Sequence, residues 1–186
     1  MSEEDIIKKA KQGNINAFQQ LVELHYPIVE KFAYQLGNRQ EEIEDITQEV
    51  FIRVYRFLDQ FTKAKFSTWL YKITLNVTRD FARKRQSNIR KVFKIQQDFR
   101  NEDYPEIESK IIRNEEDRVL HISIQRLDEK YRIPIVLYYF HDKKYEEISE
   151  IMSINISTVK TRIMRGKTLL KKMMEEVIKK EGDTHG

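Results

Sequence analysis

Residues 145–166, YEEISEIMSINISTVKTRIMRG, decide the fold of the C-terminal half of the chain. Apolar residues recur at helical spacing on both sides of the short break SIN (153–155), which predicts a helix, a tight turn and a second helix. Asn155 stands immediately before the second helix, where its side chain is suited to capping the first turn. This spacing is that of a helix-turn-helix, in which the second helix enters the major groove of DNA.

The second helix has a core face and an outer face when successive residues are placed about 100° apart. The predicted core face holds Val159, Ile163, Leu170, Met173 and Val177. The outer face carries short hydroxyls, which allow a close approach to DNA, and an arginine that can pair with a guanine edge, while the flanking cations suit phosphates. Charge alone would favour the alternative, a solvated helix without a ligand. The candidate DNA contacts are Ser157, Thr158, Lys160, Thr161, Arg162, Met164 and Arg165.

The composition of the 186 residues narrows the class of protein. Charged residues make up 34% of the chain, while Gly and Pro number only five and three, which favours an all-α fold. Because the chain has no Cys, disulfides and thiolate metal sites are excluded. No apolar run approaches the ~18 residues of a membrane span, and the charged N-terminus is unlike a signal peptide. We therefore expect a cytoplasmic protein with no direct membrane insertion and no cofactor.

Four helices are predicted in residues 1–86, the first of two helical domains. Gly13 is expected to end the first helix, Asn16 to cap the second and Pro27 to kink that second helix. A third helix follows. The fourth is predicted over residues 67–85, with its first residue as the cap.

A flexible linker, helical in part, is predicted over residues 87–114, where the apolar periodicity weakens and polar residues dominate. The second domain covers residues 115–180 and leaves a short tail, 181–186. Its helices are predicted near residues 115–128, 129–140, 145–152 and 156–177.

Charge is distributed in blocks. Residues 41–49 hold five acids and no base, whereas residues 79–94 hold seven bases with Asp80 as the one acid. Residues 96–117 turn acidic again, with eight acids against three bases. Base-rich blocks suit a polyanion. Acidic blocks would repel phosphates, so they suit the basic surface of a protein partner instead.

The third and fourth helices carry these charges on defined faces. On the third helix Asp45, Gln48 and Glu49 share one side with Arg53, a side that is either solvated or suited to a protein partner. On the fourth helix, the face beside the apolar stripe mixes cations with an amide and suits single-stranded nucleic acid. Trp69 borders this face and is expected to pack inside. The candidate ligand residues of the fourth helix are Lys72, Asn76, Arg79 and Arg83.

These segments resemble a known family. DITQEVFIRVYRFLDQF (45–61) and FSTWLYKITLNVTRDFARKR (66–85) are similar to region 2 of bacterial sigma factors, above all the compact extracytoplasmic-function (group IV) type of the sigma-70 family. Residues 127–170 resemble region 4 of the same group. The likeness covers about residues 5–85 and 115–175, in the family's order. It implies a sigma factor that directs core RNA polymerase to promoters, built from a four-helix region 2 module and a helix-turn-helix region 4 module.

The resemblance also implies a role for each face. Region 2 would bind the polymerase clamp through the positions that match Asp45, Gln48 and Glu49, and region 4 would bind the polymerase flap. Region 4 would read the double-stranded −35 element. Region 2 would capture the melted −10 element, with Asn76 reading a base and Arg53 beside the pocket for a flipped base. The candidate −10 contacts are Arg53, Lys65, Lys72, Asn76, Arg79 and Arg83.

Family members are commonly held inactive by an anti-sigma protein, often anchored in a membrane, so the resemblance implies such a partner and a stress or envelope regulon. Four positions depart from the family's usual pattern. Asn14 replaces a common Asp, and Ser153 stands in the turn where Gly is usual. Gly166 replaces Ala at about 1 kcal/mol of helix stability. Pro134 stands inside a family helix, which would then start later or kink.

Two other classes of function were weighed. A helix-turn-helix regulator that acts without core polymerase would use only the C-terminal domain and leave the charged faces of residues 41–85 unexplained. An enzyme has no positive support, because the four scattered His form no metal-binding or catalytic constellation in the sequence. We therefore expect a protein without catalysis of its own.

Overall fold

The computed structural model describes residues 2–62, 65–93 and 114–184, and all of its regular elements in these ranges are helical. The all-α prediction is confirmed. Contacts divide the chain into two compact units, one formed by α1, α2 up to Tyr34, α3 and α4, the other containing α5 to α8. The helices are α1 (Glu3–Lys11), α2 (Ile15–Gln35), α3 (Gln40–Phe57), α4 (Phe66–Phe93), α5 (Glu115–Arg126), α6 (Glu129–Phe140), α7 (Tyr145–Met152) and α8 (Ile156–Thr184), with a 3-10 turn at Leu58–Gln60.

The N-terminal unit is held together by an apolar core between α2, α3 and α4. Leu21 of α2, Ile46 and Val50 of α3, and Leu70 and Val77 of α4 are each at most 1% exposed. Burying a side chain of this size stabilises a fold by about 1.5–3 kcal/mol. The core residues follow the helical spacing of the sequence, so each helix turns its polar face outward.

Trp69 packs inside the N-terminal unit as predicted. Its ring lies 5.1 Å from the ring of Phe61, in a stacked arrangement, and 5.8 Å from that of Phe66. The partly buried indole therefore lies against the core cluster, where its area contributes to packing.

The start of α2 differs from the prediction. Asn14, not Asn16, caps this helix: the Ala17 N–H donates to Asn14 Oδ1 at 2.9 Å, and Asn16 lies within the first turn. Gly13, with φ +85°, supplies the left-handed turn that separates α1 from this cap. The helix then continues through Pro27.

The fourth helix is longer than predicted. It begins at Phe66, so Ser67 lies in its first turn rather than at its cap, and α4 continues past residue 85 to Phe93. Arg85 anchors this extension to α3, with Nε 3.2 Å from Glu42 Oε1 and Nη2 2.6 Å from Glu42 Oε2. Such a two-point contact between distant residues leaves no trace in local periodicity. Residues 87–93, predicted as the first part of the linker, are therefore helical, and the rest of the linker, 94–113, lies outside the described residues.

In the C-terminal unit, α6 begins at Glu129 despite Pro134, so a later start is ruled out. Asp128 caps the helix, and its Oδ1 accepts from the Lys130 N–H at 2.9 Å. A proline at this position gives up only one hydrogen bond, to the carbonyl of Lys130 near the start of the helix. Ile133 and Ile135 beside it are at most 1% exposed, so apolar burial favours the helix.

The turn between α7 and α8 has helix-turn-helix geometry. Ser153 adopts the left-handed conformation, with φ 55° and ψ 47°, and ends α7. The Ile154 N–H donates to the Ser149 carbonyl at 3.1 Å, and Asn155 precedes α8 as predicted, with its carbonyl accepting from Val159 at 3.0 Å. A left-handed residue other than Gly costs about 1–2 kcal/mol, which explains the usual Gly of related sequences.

The last helix runs to Thr184 rather than residue 177, so it includes most of the predicted tail. Val159, Ile163 and Val177 are buried, as the predicted core face requires. Across the described parts of the chain, none of the helices has both the length and the apolar character needed to cross a membrane.

Candidate nucleic-acid and protein interfaces

All seven predicted −35 residues lie in the first three turns of α8, and four of them form an exposed strip. Met164 is 65% exposed although it is apolar, and Ser157, Lys160 and Arg165 are exposed as well. The Thr161 hydroxyl donates to the Ser157 carbonyl at 3.0 Å. This bond leaves the lone pairs of the Thr161 hydroxyl oxygen available to an outside donor. Thr158, Thr161 and Arg162 are half-buried and border the exposed strip.

Lys160 lies on one flank of this surface. Its Nζ is 5.7 Å from the ring centroid of Tyr145 on α7, and Tyr145 stacks on Tyr138 at 5.2 Å. A cation over an aromatic face is attracted to it by about 0.5–1 kcal/mol at an exposed site. The contact orients the ammonium group at the edge of the surface, where the helical wheel had placed a phosphate contact.

The opposite flank forms a concavity of about 310 Å³ between α8 and the start of α6. Five predicted −35 residues line it: Ser157, Thr158, Thr161, Arg162 and Arg165. The other two lining residues, Lys130 and Tyr131, belong to the first turn of α6. Neither residue was predicted from the sequence, because the approach of two helices cannot be inferred from either helix alone. Lys130, a cation where the start of a helix favours acids, was the feature of the sequence that could have indicated this site.

Gly166 explains how α6 comes so close to α8. A Cβ at this buried position would lie 3.0 Å from Cγ1 of Ile135 and 3.3 Å from Cβ of Tyr131. Most residues would need these neighbours to shift, so glycine permits the observed helix separation. Glycine at this position costs helix propensity relative to the usual Ala, but it avoids close contacts with Tyr131 and Ile135 of α6.

The predicted −10 face of α4 also lies on one side of its helix. Asn76 and Arg83 are exposed, while Lys72 and Arg79 are half-buried. The spacing of four, three and four residues follows the helical repeat. Lys65 is exposed just before α4.

An ion-pair chain joins α3 to this face. Arg53 donates from Nε to Glu49 Oε1 at 2.8 Å, and its Nη2 lies 2.9 Å from Asp80 Oδ2. The other carboxylate oxygen of Asp80 pairs with Nη2 of Arg83. Two predicted −10 cations therefore share one internal carboxylate. No role was predicted for Asp80 from the sequence, although its position as the one acid in a basic block could have indicated one.

The ion pairs between Glu49, Arg53, Asp80 and Arg83 shift the pKa values of Arg53 and Asp80. Burial acts to raise the pKa of the Asp80 carboxyl, but hydrogen bonds from Arg83 and Arg53 outweigh it and hold that pKa below its ordinary value. The pKa of the Arg53 guanidinium is raised, chiefly by its hydrogen bond to Glu49. Both groups therefore stay charged at neutral pH, and the network persists as an ionic one.

The predicted polymerase-binding residues divide into two kinds. Asp45 and Gln48 are exposed, one turn apart on α3, and Gln48 Nε2 donates to Glu44 Oε1 at 3.2 Å. Glu49 is half-buried and engaged with Arg53. The outward acidic charge of this face therefore comes from Asp45 and Glu44, while Glu49 is partly neutralised.

The family description "Sigma-70 region 2" matches residues 21–88, and "Sigma-70, region 4" matches residues 119–170. The chain is 34% identical to the ECF RNA polymerase sigma factor SigW of Bacillus subtilis, over 92% of this chain and 96% of that protein. It is 30% identical to the ECF RNA polymerase sigma factor SigE of Mycolicibacterium smegmatis, over 86% of this chain and 62% of that protein.

Two solved structures are similar in fold. CnrH, solved in complex with the cytosolic domain of CnrY, has a TM-score of 0.69 at 24% identity and covers 92% of this chain and 96% of its own. The sigma factor RpoE of Bartonella quintana, solved with the anti-sigma factor NepR, has a TM-score of 0.68 at 20% identity, with coverages of 87% and 98%. At these identities the likeness is one of fold.

Proposed function

The chain belongs to the sigma-70 family of RNA polymerase sigma factors, in its extracytoplasmic-function group, and we propose that its two units read two separate elements of a promoter. As a sigma factor it directs core RNA polymerase to promoters for transcription initiation. The division of this task between named side chains is the proposal. One observation carries it: an acidic face on α3 adjoins a cationic face on α4, which DNA binding alone does not require.

The C-terminal unit reads the double-stranded −35 element through α8. Thr161 and Arg165 face base edges in the major groove, where a bidentate arginine contact is worth about 1–3 kcal/mol of discrimination. Lys160 and Arg162, on the two flanks, bind the phosphate rows on either side of the groove. The exposure of Met164, together with Ser157 and Thr158 in the first turn, supports this orientation, because an exposed methionine suits contact with a thymine methyl.

The N-terminal unit captures the melted −10 strand on α4. Asn76 reads a base edge, and Lys65, Lys72, Arg79 and Arg83 follow the phosphates. Arg53 borders the pocket for a flipped base, whose unstacking at a few kcal/mol is repaid by pocket contacts.

The acidic face of α3 binds a basic surface of core RNA polymerase. Asp45 and Gln48 project outward and make the direct contacts with the clamp, while Glu49 contributes through its pairing with Arg53. The C-terminal unit binds the polymerase flap. The protein acts in the cytoplasm, where promoter DNA and polymerase are found, and it carries no catalysis of its own.

An anti-sigma protein holds the free factor inactive by covering these faces. Two structural relatives were solved with such partners: RpoE with the anti-sigma factor NepR, and CnrH with the cytosolic domain of CnrY. The exposed faces of α8, α4 and α3 are suited to this regulation, since covering α8 and α4 blocks DNA and covering α3 blocks polymerase.

Run-off transcription with purified core polymerase across a genomic promoter library tests the proposal. We expect specific transcripts only when the chain is present, with start sites that share a −35 and a −10 sequence. If the chain binds duplex DNA but never supports initiation by core polymerase, the alternative of a regulator without polymerase is correct.

A further inference from the structure

The concavity beside α8 contains more positive charge than base reading requires. Arg162 and Arg165 of α8 line it together with Lys130 of α6. The hydroxyls of Ser157 and Thr158 add hydrogen-bond donors, whereas the Thr161 hydroxyl donates to the Ser157 carbonyl. The lining contains no carboxylate. Neither arginine forms an ion pair with any residue that the structure describes. Three cations and two donor hydroxyls in one recess form a site for an anion.

Lys130 is an unusual residue at this place. It lies in the first turn of α6, where the helix macrodipole favours anions over cations. Its Nζ lies 5.1 Å from the ring centroid of Tyr131, so it extends along the recess over an aromatic surface. Asp128 and Glu129 precede it in the chain, but both lie outside the lining of the concavity.

We propose that Lys130 of α6 binds a backbone phosphate of promoter DNA in the concavity that it shares with Arg162 and Arg165. The DNA surface of the C-terminal unit is then built from two helices rather than one. This inference rests on the proposed −35 recognition and adds a contact on a second helix to it. A lysine contact to phosphate fixes the register of the protein on the duplex without reading sequence.

Gly166 fits the close approach of α6 to α8 on which the contact depends. A Cβ there would lie 3.3 Å or less from side-chain atoms of Tyr131 and Ile135, so these neighbours would have to give by a few tenths of an ångström to admit a larger residue. Tyr131 is the residue next to Lys130 in the lining of the concavity.

The test measures binding of the full chain to a labelled duplex that carries the −35 sequence found by run-off transcription, over a range of salt concentrations. Each phosphate contact contributes about 0.9 to the slope of log K against log salt. We expect Lys130→Ala to lower that slope by about 0.9 and to weaken binding several-fold at low salt. The ratio of affinities for the cognate and a scrambled duplex should stay unchanged.

Two variants serve as controls. Lys130→Arg keeps the charge and should keep the slope, whereas Lys179→Ala removes an exposed lysine near the far end of α8 and should change nothing. A Lys130→Ala protein with the slope of the wild type overturns the inference. If the wild type itself does not prefer the cognate duplex, the proposed −35 recognition fails instead, so the two failures are distinguishable.

Discussion

The two proposed DNA-binding surfaces of this protein hold their cations in opposite ways. In the N-terminal unit Arg53 and Arg83 pair with the same internal carboxylate, that of Asp80. In the C-terminal unit Arg162 and Arg165 pair with no carboxylate of the described residues. Unpaired cations attract DNA from a distance of about a Debye length. Paired cations must first exchange a carboxylate for a phosphate, so they favour a ligand that is already held in place.

This difference in charge pairing indicates the order in which the two units bind the promoter. We expect the C-terminal unit to capture the intact −35 duplex first, because its positive charge is not compensated. The N-terminal unit would engage later, once the strands separate and the −10 bases come within reach of Asn76. Each of the following substitutions tests one of the two surfaces.

The largest effect is expected from substitutions in the proposed −35 surface of α8. Lys160→Ala combined with Arg165→Ala should abolish transcription from a cognate promoter, a loss of at least about 100-fold, since a phosphate contact and a base contact of about 1–3 kcal/mol are both lost. Run-off transcription measures the loss, and co-purification with core polymerase should be unchanged. Lys179→Ala is the matched control. Unchanged promoter output from the double variant would show that α8 is not the reader.

The next largest effect is expected from Asn76, the proposed base-reading residue of the N-terminal unit. Asn76→Ala should reduce formation of the open complex about tenfold, because one base contact of about 1–3 kcal/mol disappears. Binding to the −35 duplex should be little affected. Permanganate footprinting of the melted region and competition between −10 variants measure both. A variant that keeps its −10 preference and its rate of opening would contradict the assignment.

A smaller effect is expected from releasing the paired arginines. Asp80→Asn keeps the shape of the side chain but removes the charge that Arg53 and Arg83 share. We expect single-stranded DNA of any sequence to bind a few-fold more tightly, with a slope of log K against log salt steeper by about 0.7 for each phosphate gained.

The Asp80 substitution is made at neutral pH, because the lowered pKa of the Asp80 carboxyl keeps it ionised until well into the acid range. The stabilisation that this carboxylate contributes is present above its ordinary pKa and lost as the pH falls through its folded value. Asn76→Ala serves as the reference for sequence-dependent binding. Weaker or unchanged single-strand binding by Asp80→Asn would mean that Asp80 does not restrain the arginines.

The smallest effect on DNA is expected from the turn. Ser153→Gly should raise the free energy of unfolding of the C-terminal unit by about 1 kcal/mol, because Gly adopts the left-handed conformation without strain. DNA affinity should not change, since no charge is altered. Chemical denaturation measures the gain, and Ser153→Ala, which keeps a Cβ, should show none. Equal stability of the two variants would contradict the strain.

Local pattern predicted much of this molecule from the sequence. The bounds of α6 and α7 follow from their caps and apolar spacing, and the exposed strip of α8 lies where its wheel had placed it. The extension of α4, which was not predicted, depends on a contact between distant residues, whereas the misplaced cap of α2 is a local error. The pairing of Glu42 with Arg85 supports a helix that local periodicity had ended.

The candidate sites show the same limit. The sequence could place Arg53 and Arg83 on polar faces but could not show that Asp80 lies between them. Nor could it bring Lys130 beside α8, because that depends on the separation of two helices at Gly166. The spacing of residues along one helix determines which side chains share a face. The residues that those side chains contact on other helices depend on how the helices pack.

Gly166 also bears on how promoter preference could be exchanged between related proteins. A graft of residues 157–165 alone into a homologue with Ala at the equivalent of Gly166 would transfer the base-reading side chains without the helix separation that they have here. The transplantable module would then be the whole segment from α6 to α8, because the glycine and the start of α6 are matched parts. To change the promoter preference of this protein, α6 and α8 would therefore be exchanged together, rather than α8 alone.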